Sequence, residues 1–356
     1  MKNPNILQSA SAFDTHNEPV DFAPHGKGHI NDTYLVTDAG GQQYILQRIN
    51  QTVFRNPQGV MENMLAVTSH IKQKVTCNRQ VIDLLPTKEG VMWHVDEHGD
   101  YWRKYHFIGD SICLEMAETP HDFKESGMAY GHFQGHLSDF PAASLHETIP
   151  NFHDTPNRYK LFKEALSADA LGRTKDAARE IDFALEREEY AGTLMSLLKS
   201  GDIPLRVTHN DTKLSNVLLD TETRKALCVI DLDTVMPGLT ATDFGDAIRF
   251  GASTAAEDET DLDKVSMSMR LFEAFTDGYL STCGGSLTQA ELLHLRDGVK
   301  MMMLECGLRF LTDYLAGDTY FRIHREKHNL DRARTQFKLV TEAEKFWDEM
   351  QKVITR

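Results

Sequence analysis

Along the first third of the chain, short runs of alternating apolar and polar residues mark half-buried strands. The runs 30–37 (INDTYLVT) and 42–50 (QQYILQRIN) are separated by turn residues at 38–41, which predicts a β-hairpin. A helical run follows at 60–74, then strands near 91–95 and 102–108. From about Asp110 the apolar period becomes that of a helix. Phe123, Tyr130, Phe133 and Leu137 fall on one helical face, and Leu292, Leu295, Val299, Met302, Met303, Cys306 and Phe310 on another. The second stripe is entered through Thr288 with Glu291 three residues later, the pattern of a capping box. A β island interrupts the helical part at 205–208, 217–219 and 226–230, with DTETRK turning between the last two.

Composition narrows the class. With 356 residues, 41% of them hydrophobic, the chain is long enough for two packed lobes. The 38 basic and 53 acidic residues leave a net charge of -15 with no local basic patch, which disfavours nucleic acid and anionic membranes as partners. The opening MKNPNILQSASAFDTHNEP holds no apolar run long enough for a signal peptide, and MMMLECGLRFL is broken by Glu305 and Arg309, so a cytoplasmic protein is expected. The cysteines are five, scattered and without CxxC spacing; they read as small buried hydrophobes rather than as disulfides or a zinc site.

The chemistry concentrates around the β island. His209, Asp211 and Asn216 stand as H-x-D-x-x-x-x-N, the spacing of a kinase catalytic loop. In that scheme Asp211 orients the attacking hydroxyl, Asn216 offers an amide oxygen to Mg²⁺, and His209 braces the loop. A polar turn capped by its own Asx side chains would use the same residue types. Asp231 ends the apolar strand that pairs with the one leaving Asn216, so it arrives beside the loop and is the better metal ligand. Asp233, two residues on, either joins the metal site or orients it. Asp243 sits in DFGD, which reads as a helix entry where its carboxylate caps backbone N–H groups; the DFG match is therefore accidental. Upstream, HGKGHINDTYLV places Gly26 and Gly28 before a strand, where a backbone can turn tightly over phosphates.

HINDTYLV, LRVTHNDTKLSNVLLD, VIDLDTVMPG, DFGDAIRFGAST, ECGLRFLTDYL and HNLDRARTQFKLV together resemble the bacterial N-acetylhexosamine 1-kinases, within the aminoglycoside phosphotransferase and choline kinase group. The resemblance runs over nearly the whole chain. It implies an α+β, bilobal, protein-kinase-like fold: a small β-rich nucleotide-binding lobe at 1–109 and a larger, mainly helical catalytic and sugar-binding lobe at 110–356. It also implies ATP-dependent phosphorylation of a small-molecule sugar, GlcNAc or GalNAc, at the anomeric hydroxyl, with Mg²⁺. Under it Asp211 and His209 are catalytic, and Asn216, Asp231 and Asp233 are metal-side residues. Gly26, Lys27, Gly28, Gln47, His106 and Ile108 face the nucleotide. His29, Asp211, Thr234, Phe250, Arg309 and Tyr320 surround the sugar, with Phe22 at its edge.

One position departs from the kinase pattern. The V-A-I-K lysine is matched by YILQ, ending in the neutral Gln47, and Arg48 points to the other face of a regular strand. Lys27 or Mg²⁺ alone is left to neutralise the phosphates, and Glu62 has no lysine to pair with. Each substrate residue also has a plainer reading: Phe250 as core, Arg309 as an ion-pair partner of Glu305 four residues earlier, His29 as a solvated loop residue. A kinase for choline or an aminoglycoside, and an impaired kinase-like binding module, stand as the rival functions.

Overall fold

Alternation does build the N-terminal part. The computed structural model describes residues 4–26, 28 and 30–356. Helix α1 (Pro4–Ser11) precedes strands β1 (Pro19–Pro24), β2 (Asp32–Asp38) and β3 (Gln43–Arg48), helix α2 (Pro57–Lys72), and strands β4 (His94–Val95) and β5 (Tyr101–His106). The predicted hairpin is β2–β3, and the antiparallel sheet runs in the order β1-β2-β3-β5-β4. Helix α2 starts earlier than its apolar period indicates, because the Asn56 side chain accepts from the Gly59 N–H and Pro57 occupies the first turn. The strand expected at 91–95 shrinks to β4 because Thr87 and Val91 close a turn.

Strand parity divides this sheet. Val36, Leu46 and Trp102 face α1 and form a small core with Ile6, Ala10 and Phe13. Gln47 and Arg103, cross-strand partners, point to the opposite face. Arg48 turns outward to Asp32 and Asp100, as its parity requires.

The C-terminal part is helical around two small sheets. It comprises β6 (Ser111–Ile112), α3 (Pro120–His136), α4 (Thr155–Ala168), α5 (Ala178–Leu185), α6 (Glu188–Ala191), α7 (Thr193–Ser200) and β7 (Arg206–Thr208). Next come β8 (Val217–Asp220), β9 (Ala226–Val229), β10 (Met236–Gly238), α8 (Thr240–Gly251), α9 (Met269–Cys283), α10 (Gln289–Ala316), α11 (His328–Lys345) and α12 (Trp347–Ile354). The Thr288–Glu291 capping box opens α10 as the sequence predicts. The β island differs: β8 lies between β6 and β9, whereas β7 leaves that sheet to pair with β10. The long loop between β7 and β8 separates the two pairings.

A small β lobe and a larger helical lobe are thus present, but they share packing. Val60, Met61, Met64, Val67 and Ile71 of α2 belong to the same core as Phe123, Leu219, Phe244 and Leu304. Helices α8 and α10 touch backbone to backbone, since a Cβ on Gly245 or Gly298 would collide with the carbonyl of Gly298 or Ala241. That contact fixes α8 beneath the loop. Among the described residues no helix is long and apolar enough to cross a membrane.

Candidate active site

The loop between β7 and β8 is held from below by two aspartates of α8. Asp243 accepts from the backbone N–H groups of His209 and Asn210, each at 2.7 Å, and Asp246 accepts from the Thr212 N–H at 3.1 Å. Asp243 is therefore not capping its own helix, as DFGD suggests; it lies inside the first turn of α8 and grips another segment. Burial pushes its carboxyl up to about 6, against the pull of His209 and of the two N–H groups.

His209 is fully buried between Tyr130 and Phe133. Its Nδ1 accepts from the Asp211 N–H at 3.3 Å, so Nε2 carries the proton and donates to the Ile230 carbonyl at 2.9 Å. This bond ties the loop to the strand end before Asp231. Asn210 adopts a left-handed φ of 65°, and its Nδ2 donates to the Thr234 carbonyl. The Thr234 hydroxyl donates to the His209 carbonyl at 2.7 Å, which sets its side chain against the loop.

Asp211, Asn216 and Asp231 converge. Asn216 donates from Nδ2 to Asp211 at 3.1 Å, which leaves its Oδ1 for another partner. Asp231 has φ 60°, and the Ile230 N–H bonds the Asn216 carbonyl, so its carboxylate projects beside the loop. Solvent reaches that carboxylate, yet protein encloses it on most sides. Desolvation, then the charges of Asp233 and Asp211, hold it well above the usual carboxylate range, with Arg103 and Lys213 opposing them. Asn216 Oδ1 and the Asp231 carboxylate are hard oxygen donors of the kind that would suit Mg²⁺ held partly by phosphate oxygens.

Lys213 escaped the sequence reading. Its Nζ lies 2.7 Å from Asp211 Oδ1, and its charge is favoured by Asp211 against burial. A lysine two residues after the loop aspartate was the available signal.

Asp233 is engaged differently from Asp231. Both oxygens are taken, by the guanidinium of Arg103 and by Asn31 Nδ2, which leaves Asp233 the orienting share of its two expected roles. Gln47 accepts from Arg103 Nε at 2.8 Å and donates to Thr33 at 3.0 Å. Glu62, without a lysine, pairs with His146 instead. Gly26 has φ +77° and, like Gly28, open space where a Cβ would be. Lys27 and His29 lie outside the described residues. His106 ends β5 with its ring against Tyr44, and the Ile108 carbonyl accepts from Ser111 at 2.6 Å, both at the crossing between lobes.

Among the residues expected around the acceptor, Phe250 follows Asp243 and Asp246 along one face of α8, a turn beyond them. The expected Glu305–Arg309 pair does not form. Glu305 binds His153 at 2.8 Å and Thr155 at 2.6 Å, and His153 reaches the Asn210 carbonyl at 3.3 Å. Arg309 instead lies over the rings of Phe152 and Phe321, 5.5 Å from each, with no ion pair among the described residues. Burial and the neighbouring Arg309 charge lower the pKa of Arg158, which is likewise without a carboxylate partner and whose Nε is buried without a hydrogen bond. Tyr320 stands exposed at this rim against Phe321. Phe22 packs on Tyr34 and the core under α1, because its place in β1 gives it the face opposite Gln47 and Arg103.

A family model described as the phosphotransferase enzyme family matches residues 21–275. Solved structures with the same fold include a microcompartment-associated aminopropanol kinase, 18% identical at TM-score 0.61, with 97% of each chain covered. An amicoumacin kinase in complex with AMP-PNP and Ca²⁺ is 14% identical at TM-score 0.65, covering 99% of this chain and 94% of that one. The choline kinase of Cryptosporidium parvum Iowa II is 14% identical at TM-score 0.56, covering 92% and 90%. At such identities the likeness is one of fold.

Proposed function

Since the chain belongs to the phosphotransferase enzyme family, we propose that it uses ATP to phosphorylate an N-acetylhexosamine, GlcNAc or GalNAc, at the anomeric C1 hydroxyl. Residues 1–109 then form the nucleotide-binding lobe and 110–356 the catalytic and sugar-binding lobe. The observation that carries the choice of acceptor is Arg309 beside Arg158, two guanidiniums that make no ion pair among the described residues, next to the loop between β7 and β8. The choline and aminopropanol kinases of the same fold are named for cationic alcohols. With Glu305 engaged by His153 and Thr155, two adjacent guanidiniums disfavour an ammonium and donate well to the hydroxyls and acetamide of a neutral sugar.

Asp211 accepts the C1 hydroxyl proton as the sugar oxygen attacks the γ-phosphorus and the bond to the β-phosphate oxygen breaks, releasing ADP. The anomeric hydroxyl is more acidic than an ordinary alcohol because the ring oxygen withdraws electron density, so a carboxylate suffices. Lys213, beside Asp211, offers positive charge to the transferring phosphoryl group. Asn216 Oδ1 and Asp231 would hold Mg²⁺, which neutralises the phosphates when bound. Phe250 and Tyr320 supply an apolar wall of the kind found in small-molecule sites.

The test follows ADP release and reducing-end content together, with 1-deoxy and 6-deoxy sugars as controls. Reducing ends should vanish in step with ADP formation. Persistence of reducing ends, or turnover of the 1-deoxy sugar like that of the parent, would overturn the C1 assignment, and preferential turnover of choline would overturn the reading of the arginines.

A further inference from the structure

Arg103 is the largest fully buried side chain of the small lobe, and the roles assigned above leave it unused. It stands on β5 directly across from Gln47 on β3, the position that carries lysine in the kinase pattern. Its guanidinium makes a fork on Asp233, and Asp233 lies two residues after Asp231 in the turn that leads to β10. Its Nε donates to Gln47 Oε1, and Gln47 Nε2 donates to Thr33 on β2. Thr33 accepts the His25 N–H at 2.9 Å across the β1–β2 hairpin, at the root of the segment that bears Gly26 and Gly28. On the other side of that segment, Asn31 reaches Asp233 with its amide and accepts the Asn50 N–H at 2.9 Å. The hydrogen-bonded chain Asp233–Arg103–Gln47–Thr33 thus joins the two lobes without a lysine.

We propose that Arg103 is the positioning residue of the nucleotide cleft, replacing the kinase lysine from the neighbouring strand: through Asp233 it sets the turn that carries Asp231, and through Gln47 it ties that turn to the glycine-bearing hairpin. Gln47 is then not a degenerate lysine. It is the neutral acceptor that Arg103 requires, because a cation at 47 would face the guanidinium across the strand pair and have no oxygen to offer its Nε. The bidentate fork matters as well as the charge, since one ammonium cannot span both Asp233 oxygens and Gln47 at once.

This inference rests on the proposed phosphoryl transfer only for its use of a metal-bound nucleotide, so the test involves no acceptor sugar. ADP affinity is measured by calorimetry with and without Mg²⁺ for the parent, Arg103→Lys and Gln47→Lys. The gain in affinity that Mg²⁺ brings should fall by on the order of 10- to 100-fold in both variants, the range for residues that orient a metal ligand. Hydrogen exchange on the nucleotide-free proteins gives a second readout: amides of 30–38 and of 231–236 should exchange faster together in Arg103→Lys. If Gln47→Lys binds Mg·ADP more tightly than the parent, the residue is a lost lysine and the proposal fails. An unchanged Mg²⁺ increment in both variants, or unchanged exchange in both segments, also overturns it.

Discussion

At the scale of single residues, Asp211, Asp231 and Asp243 carry the same charge in three different settings. Asp211 faces Lys213 and Asn216, and Asp211→Asn keeps its shape while removing its proton affinity. Turnover in that variant should drop by on the order of 10² to 10⁴ with nucleotide affinity retained, as steady-state kinetics and calorimetry would show. Asp231 and Asp243 should separate in the same measurements. Asp231→Ala loses Mg²⁺-dependent nucleotide binding, whereas Asp243→Asn sets an amide against two N–H donors and lowers kcat by misplacing the loop. A nucleotide defect in Asp243→Asn larger than that in Asp231→Ala would reverse the assignment. Much of this site is legible in residue spacing, because H-x-D-x-x-x-x-N fixes a loop whose ends are pinned by strands. What spacing cannot show is which oxygen a buried carboxylate serves: Asp243 and Thr234 turn toward backbone groups that only the folded loop presents.

At the scale of elements, α10 links the loop between β7 and β8 to the proposed acceptor side. Glu305 holds His153, which touches the Asn210 carbonyl, and Arg309 follows one turn later. Burial disfavours the His153 imidazolium, yet Glu305 outweighs it and the His153 pKa rises above 6.5, while that of Glu305 falls below 4.5 despite its own burial. A raised histidine contributes stability that is complete below its unfolded value and is lost as pH climbs through the folded one. A depressed carboxylate contributes above its unfolded value and loses that contribution as pH falls through the folded one. The pair is therefore strongest between about 4.5 and 6.5. The melting-temperature gap between the parent and His153→Gln should be widest in that window and shrink as pH rises further; a gap independent of pH would refute it. The i,i+4 spacing points to a Glu305–Arg309 pair, but a partner distant in sequence makes the better contact. Periodicity located α3 and α10 well because their apolar stripes are long. It missed the departure of β7 to β10, since three-residue strands carry too little pattern to name their neighbour.

At the scale of the molecule, the lobes are less separate than the change of pattern near Asp110 implies. The apolar face of α2 is buried in the core of the larger lobe, Asn63 bonds the carbonyls of His146 and Val235, and Arg103 and Asn31 grip Asp233. Unfolding should then be one cooperative event, with far-UV circular dichroism from the helices and fluorescence from Trp102 in a variant with Trp93 and Trp347 replaced by Phe changing together; two resolved transitions would show independent cores. The segment after α10 obeys another logic. The Asp313 carboxylate accepts the backbone N–H groups of Thr319, Tyr320 and Phe321 and the side chain of Asn329. Because those bonds run to main chain, the exposed side chains of Thr319 and Tyr320 can vary without loosening the suspension that displays them, whereas Phe321 is held by its packing on Phe310 and Arg309. Under the proposed function, acceptor preference can thus be retuned at Tyr320, on the outward face of one hanging loop, with the residues beneath it untouched.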